Sequence, residues 1–122
     1  MTDSEFDELI TRAMNELPAS YIKGLDNVVI VMADEPTPAQ VKKMAVDDDH
    51  TLLGLYEGIP LTKRTAGYNL VLPDKITLFK KPIELVGEYG DIFEHIKRTL
   101  WHEIAHFYGL NHDDIDKIQK DD

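Results

Sequence analysis

The chain contains no cysteine. Disulfides are therefore excluded, and so is a thiolate-held zinc, which leaves histidine, aspartate and glutamate as the only side chains able to hold a metal. Long apolar runs are also absent, none approaching the roughly 20 residues of a membrane-spanning helix. The first residues, Met1 to Glu8, are acidic and lack the apolar core of a secretory signal. Basic residues are scarce: 13 Lys and Arg stand against 23 Asp and Glu, a formal net charge of −10. That charge opposes phosphate backbones and anionic lipid, so neither nucleic acid nor membrane is expected as a partner. These absences predict a soluble cytoplasmic protein. The 122 residues, 43% of them hydrophobic, suit one domain over 1–122 with a modest core. No repeat, linker or low-complexity tract divides it.

What is present is concentrated in one segment. His102, Glu103, His106, Gly109 and His112 fit the pattern H-E-x-x-H-x-x-G-x-x-H. On a helix, positions 102 and 106 leave the same face about one turn apart. Two imidazoles so placed can both reach a tetrahedral zinc at about 2.0–2.1 Å. Glu103 lies about 100° further round, where it flanks the metal and can act as general base toward a water. Gly109 can take positive φ, end the helix and turn the chain so that His112 supplies a third ligand. Asp113, next in sequence, is a carboxylate alternative to His112. A pair of histidines at i and i+4 alone is as readily a polar helix face, and Glu103, Gly109 and His112 at their offsets make the metal reading specific. His95 points the same way as His102 but lies about 10 Å further along the axis, too far to share the ion.

Elsewhere, Phe6, Leu9, Ile10, Ala13, Met14 and Leu17 form one apolar stripe at helical spacing over residues 3–17, with Thr2 and Glu5 at capping-box spacing and Pro18 as the stop. Val28 to Met32 is a β-branched run that predicts a strand buried on both faces. Thr37, Pro38 and Gln40 predict a capped short helix to about Ala45. Asp47-Asp-Asp-His50 reads as a solvated turn, since no EF-hand pattern flanks it. Leu52–Tyr56 and Ile76–Phe79 read as strands. The long connection between them has the character of a binding loop or lid, with a short strand at Asn69–Leu72. Lys80-Lys-Pro82 reads as closing a strand at an exposed sheet edge. Asp91 and Glu94 open a helix to about Tyr108 whose buried side is Ile92, Ile96, Leu100 and Phe107, with Trp101 and Tyr108 as packing residues.

With these residues in view, the chain resembles the zincin clan of metallopeptidases, and more narrowly the small bacterial zincin-like family of minimal matrix-metalloproteinase-like domains. The likeness runs through Leu53-Gly-Leu-Tyr-Glu-Gly-Ile-Pro-Leu-Thr-Lys-Arg64, Leu72-Pro-Asp-Lys-Ile-Thr-Leu-Phe-Lys-Lys-Pro-Ile83 and Arg98-Thr-Leu-Trp-His-Glu-Ile-Ala-His106. It implies an α/β (α+β) fold in which a small mixed sheet packs on the active-site helix, and a metal-dependent peptidase activity. One departure is plain. Larger metzincins carry a methionine turn beneath the metal, downstream of the third histidine, whereas Met1, Met14, Met32 and Met44 all lie upstream.

Together, motif and resemblance predict a zinc-dependent hydrolase acting on a peptide or protein, with His102, His106 and His112 as Zn²⁺ ligands and Glu103 as general base. An extended substrate is expected along a sheet edge, for which Ile76–Lys80 is the candidate. Arg64 and Tyr68 in the long connection are the side chains available as further donors to an oxyanion. Two alternatives remain: a non-catalytic zinc-binding or interaction domain, and a metal-dependent endoribonuclease using three histidines at similar spacing. Glu103 and the acidic charge oppose the second.

Overall fold

Thr2 starts the first helix by exchanging hydrogen bonds with Glu5. The Glu5 main-chain N–H donates to Thr2 Oγ1 at 3.1 Å and the Thr2 N–H to Glu5 Oε1 at 2.9 Å, a complete capping box. Helix α1 (Asp3–Glu16) then buries Phe6, Ile10 and Ala13 on the face the apolar spacing predicts. The structure, a computed structural model, describes residues 1–46, 53–64, 73–87 and 91–110. After Pro18, a short helix α2 (Ala19–Lys23) leads to Asn27, whose positive φ of 54° bends the chain into strand β1 (Val28–Ala33). Helix α3 (Pro38–Val46) comes next, capped by the reciprocal Thr37–Gln40 bonds expected of its sequence. Strand β2 (Gly54–Glu57), a 3₁₀ turn over Leu61–Lys63, strand β3 (Asp74–Phe79), helix α4 (Lys80–Gly87) and helix α5 (Ile92–Tyr108) complete the order.

The described sheet has the order β1-β3-β2. Strand β1 runs parallel to β3 and β2 antiparallel to it, so the sheet is small and mixed. One face, carrying Tyr56, Ile76 and Leu78, packs on α5, which also packs against α1 and α4. The opposite face has a smaller apolar cluster of Leu55, Phe79 and Ala33, and α3 is tied to β2 by Gln40 Nε2 donating to Glu57 Oε1 at 3.1 Å. The chain is thus an α/β protein with its main core between the sheet and three helices.

Helix α5 is central to that core. It buries Phe93, Ile96, Leu100, Trp101, Ile104, Ala105 and Phe107, while Ile92 is only half-buried. Asp91 caps its start by accepting from the Phe93 N–H at 2.9 Å. Trp101 and Tyr108 pack as expected, each ring meeting Tyr21 edge-on with centroids 5.1 Å apart, and the Tyr108 hydroxyl donates to the Tyr21 carbonyl.

Three expectations are corrected. Among the described strands β1 lies at the edge, and Val29 and Val31 remain 42% and 39% exposed, so it is not buried on both faces. Ile76–Lys80 offers no sheet edge, because β3 is flanked by β1 and β2 on its two sides. Lys80-Lys-Pro82 opens α4 and does not close an edge. Pro82 sits in the first helical turn, where no main-chain N–H is needed. The turn at 47–50 and the strand at Asn69–Leu72 lie outside the described residues. Among those described, no helix is long and apolar enough to cross a membrane.

Candidate metal centre

The helical expectation for the motif holds through Gly109. Residues 102–108 complete α5, and Gly109 ends it in the left-handed conformation, φ 75° and ψ 24°. The Gly109 N–H donates to His106 O and the Leu110 N–H to Ala105 O, both at 3.0 Å, the paired bonds of a Schellman cap. A methyl group on Gly109 would lie 2.4 Å from Thr62 Oγ1, so the 3₁₀ turn of the loop sits directly against this corner. His112 lies beyond Leu110 and outside the described residues, as does Asp113.

His102 and His106 project together from the helix, with ring centroids 4.7 Å apart. Both are half-buried, which suits residues facing a cleft. Glu103 stands between them and the sheet and is buried to 1% exposure. One ligand atom from each of His102, Glu103 and His106 falls within 4.8 Å of the others. This is the one group of three potential metal-holding side chains among the described residues. His95, on the same helix, does not belong to it.

The donor set fits zinc. Two imidazoles on one face supply nitrogen, and a Glu103 carboxylate oxygen lies in the same cluster. His106 Nδ1 lies 3.4 Å from Glu103 Oε1.

Glu103 is held from the sheet as well. The Tyr56 main-chain N–H donates to Glu103 Oε1 at 3.0 Å. The strand register explains why that donor is available. The Phe79 N–H bonds to Leu53 O, so the alternation of an antiparallel ladder turns the Leu55 and Glu57 main-chain groups toward β3 and those of Gly54 and Tyr56 outward. The helix thus meets the outer edge of β2 through its glutamate. Tyr56 was not legible as a site residue, since a main-chain donor leaves no mark on side-chain spacing.

Arg64, one of the two candidate oxyanion donors, is committed elsewhere. Its Nη2 donates to Asp74 Oδ2 at 2.7 Å and its Nε to the Ile59 carbonyl at 3.0 Å. The Arg64 and Asp74 side chains are 7% and 5% exposed, so the guanidinium belongs to the interior of the loop. Tyr68 lies outside the described residues.

No curated protein matches the chain. The sequence profile of the zincin-like metallopeptidases, in contrast, matches residues 25–121, which take in the three described strands, helix α5 and the whole His102–His112 motif. A match over that much of the chain, joined to a His-Glu-His cluster on the helix where such a motif requires it, leaves one family: the chain belongs to the zincin-like metallopeptidases.

Proposed function

We propose that this protein is a zinc-dependent peptide hydrolase in which His102, His106 and His112 hold the metal and Glu103 is the general base. The observation that carries the reading is the placement of a buried carboxylate beside two half-exposed imidazoles on one helix, all within ligand distance of each other. Zinc, when bound, lowers the pKa of a water toward about 7 and offers a Lewis acid to a carbonyl oxygen. Glu103 accepts the proton of the attacking water and returns it to the leaving amide nitrogen, so that water is added across the peptide C–N bond.

A second reading, a domain that holds zinc without hydrolysing anything, draws on one observation: Glu103 is almost wholly buried and its Oε1 is already engaged by Tyr56. The Glu103→Gln variant separates the two. It keeps size and hydrogen-bonding capacity but cannot accept the proton, and a general base contributes about 10²–10⁴-fold in rate. Cleavage of a proteome-derived peptide library should fall at least about a hundredfold, with zinc content and melting temperature near those of the parent. Equal cleavage by parent and variant would disprove the general-base role. A parent that cleaves nothing favours the zinc-holding domain.

A further inference from the structure

We propose that Arg64, Asp74 and the Tyr56 side chain form a positioning device for Glu103, fixing the strand edge whose N–H holds the carboxylate. The inference rests on the hydrolase reading above for its kinetic consequence, but not for its structural one.

Tyr56 is anchored at both ends. Its main-chain N–H donates to Glu103 Oε1 at 3.0 Å, and its hydroxyl donates to Asp74 Oδ2 at 2.5 Å. The same Asp74 oxygen accepts from Arg64 Nη2 at 2.7 Å, while Asp74 Oδ1 faces the Ile59 N–H at 3.4 Å. Arg64 in turn donates through Nε to the Ile59 carbonyl, so the loop after β2 is folded over the carboxylate it helps neutralise. A methyl group on Gly58 would lie 2.2 Å from Asp74 Cγ, and its φ of 155° is one that residues with side chains rarely adopt. Gly58 therefore lets the loop lie directly against the Asp74 carboxyl.

The chain of contacts then returns to the metal helix. The Arg64 guanidinium carbon lies 5.1 Å from the centroid of Phe107, and the Tyr56 ring meets the same Phe107 ring edge-on at 6.3 Å. Phe107 stands one turn beyond Glu103 on α5, on the buried side. The route from Glu103 through Tyr56, Asp74, Arg64 and Phe107 is thus a closed circuit joining strand, loop and helix. A displacement of Tyr56 by about an ångström would lengthen its bond to Glu103 beyond useful range. Because Glu103 Oε1 also lies 3.4 Å from His106 Nδ1, the same displacement would turn a metal-facing imidazole. A buried ion pair is weak evidence for stability by itself, since apolar replacements of similar volume often do as well. Its geometric specificity, with Tyr56 as the lever, is what the contacts display.

The test uses the full chain loaded with Co²⁺, whose visible bands report the geometry of the metal and its neighbours. Tyr56→Phe removes one hydroxyl and leaves the main-chain N–H. Two variants serve as controls: Asp26→Asn, at the solvent-exposed end of the Arg64 contacts, and Ile10→Val, a conservative core change in α1. Tyr56→Phe should alter the Co²⁺ bands while both controls match the parent. On any peptide the parent cleaves, it should cut kcat by roughly tenfold or more with KM little changed. Co²⁺ bands identical in Tyr56→Phe and parent, or changed as much by Ile10→Val, would overturn the proposal. If the parent cleaves no peptide, the hydrolase reading fails, yet the Co²⁺ bands still decide the positioning role. Should Tyr56→Phe not fold, Arg64→Lys is read in the same way, because it keeps the charge opposite Asp74 but loses the fork that reaches both Asp74 and Ile59.

Discussion

At the scale of single residues, the motif carried most of the information because its chemistry is written in side-chain types. His102, Glu103, His106 and Gly109 could be placed by counting along a helix, and helix α5 with its cap carries them at that spacing. The partners of Glu103 could not be found that way. Tyr56 reaches it with a main-chain N–H, and Arg64 meets Asp74 ten positions later in the sequence with no periodic signal linking them. His112 remains the expected third ligand, and the Schellman turn at Gly109–Leu110 sends the chain onward from the end of the metal helix. Wild-type protein reconstituted with zinc should bind about one equivalent per chain, as expected for a single site of three nitrogen ligands. His112→Ala should weaken that affinity strongly unless Asp113 takes its place, and the double change at both positions decides this. Unchanged zinc affinity in the double variant would exclude this turn as the source of the third ligand.

At the scale of elements, caps and stripes were legible because they are local. Thr2 with Glu5 and Thr37 with Gln40 form the reciprocal end-group bonds their spacing suggests, whereas Asp91 caps α5 through the Phe93 N–H and not through the Glu94 pairing its spacing suggested. Burial within an element was less so. A run of valines says strand, but whether the strand is flanked on both sides depends on sheet order, and β1 lies at the edge of the described sheet. Lys80-Lys-Pro82 misled in the same way, since proline fits the first turn of a helix as well as the end of a strand. The capping box of α1 predicts an acid sensitivity. The Thr2 main-chain N–H, and secondarily its side chain, hold the Glu5 carboxyl below its ordinary value of 4.5. A lowered folded-state pKa gives stability that is present above about 4.5 and is lost as pH falls through the lower folded value. Between about pH 5 and 3, Glu5→Gln should therefore lose less thermal stability than the parent. Parallel acid melting curves for the two proteins would remove the capping box from the account.

At the scale of the whole molecule, the acidic balance, the absence of cysteine and the α/β class came from composition and resemblance, while the joining of sheet to helix emerged only in three dimensions. Helix α5 carries both the buried centre of the core and the candidate site, so the site inherits the rigidity of the best-packed element. The Tyr56 amide ties Glu103 to the sheet, and that amide has a consequence for solvent exchange. An outward-facing N–H on an edge strand ordinarily swaps its proton for deuterium readily, because no neighbouring strand shields it. In β2 the Tyr56 N–H is shielded by a side chain of another element, so its exchange clock is set by Glu103 and not by the ladder. Deuterium uptake monitored by NMR should find the Tyr56 amide slow in the parent and fast in Glu103→Ala, with the ladder-bonded Leu55 amide slow in both. Equal rates at Tyr56 in the two proteins would mean the carboxylate does not guard it. If the rates differ as expected, one backbone proton reports on the seating of the glutamate without any substrate being known.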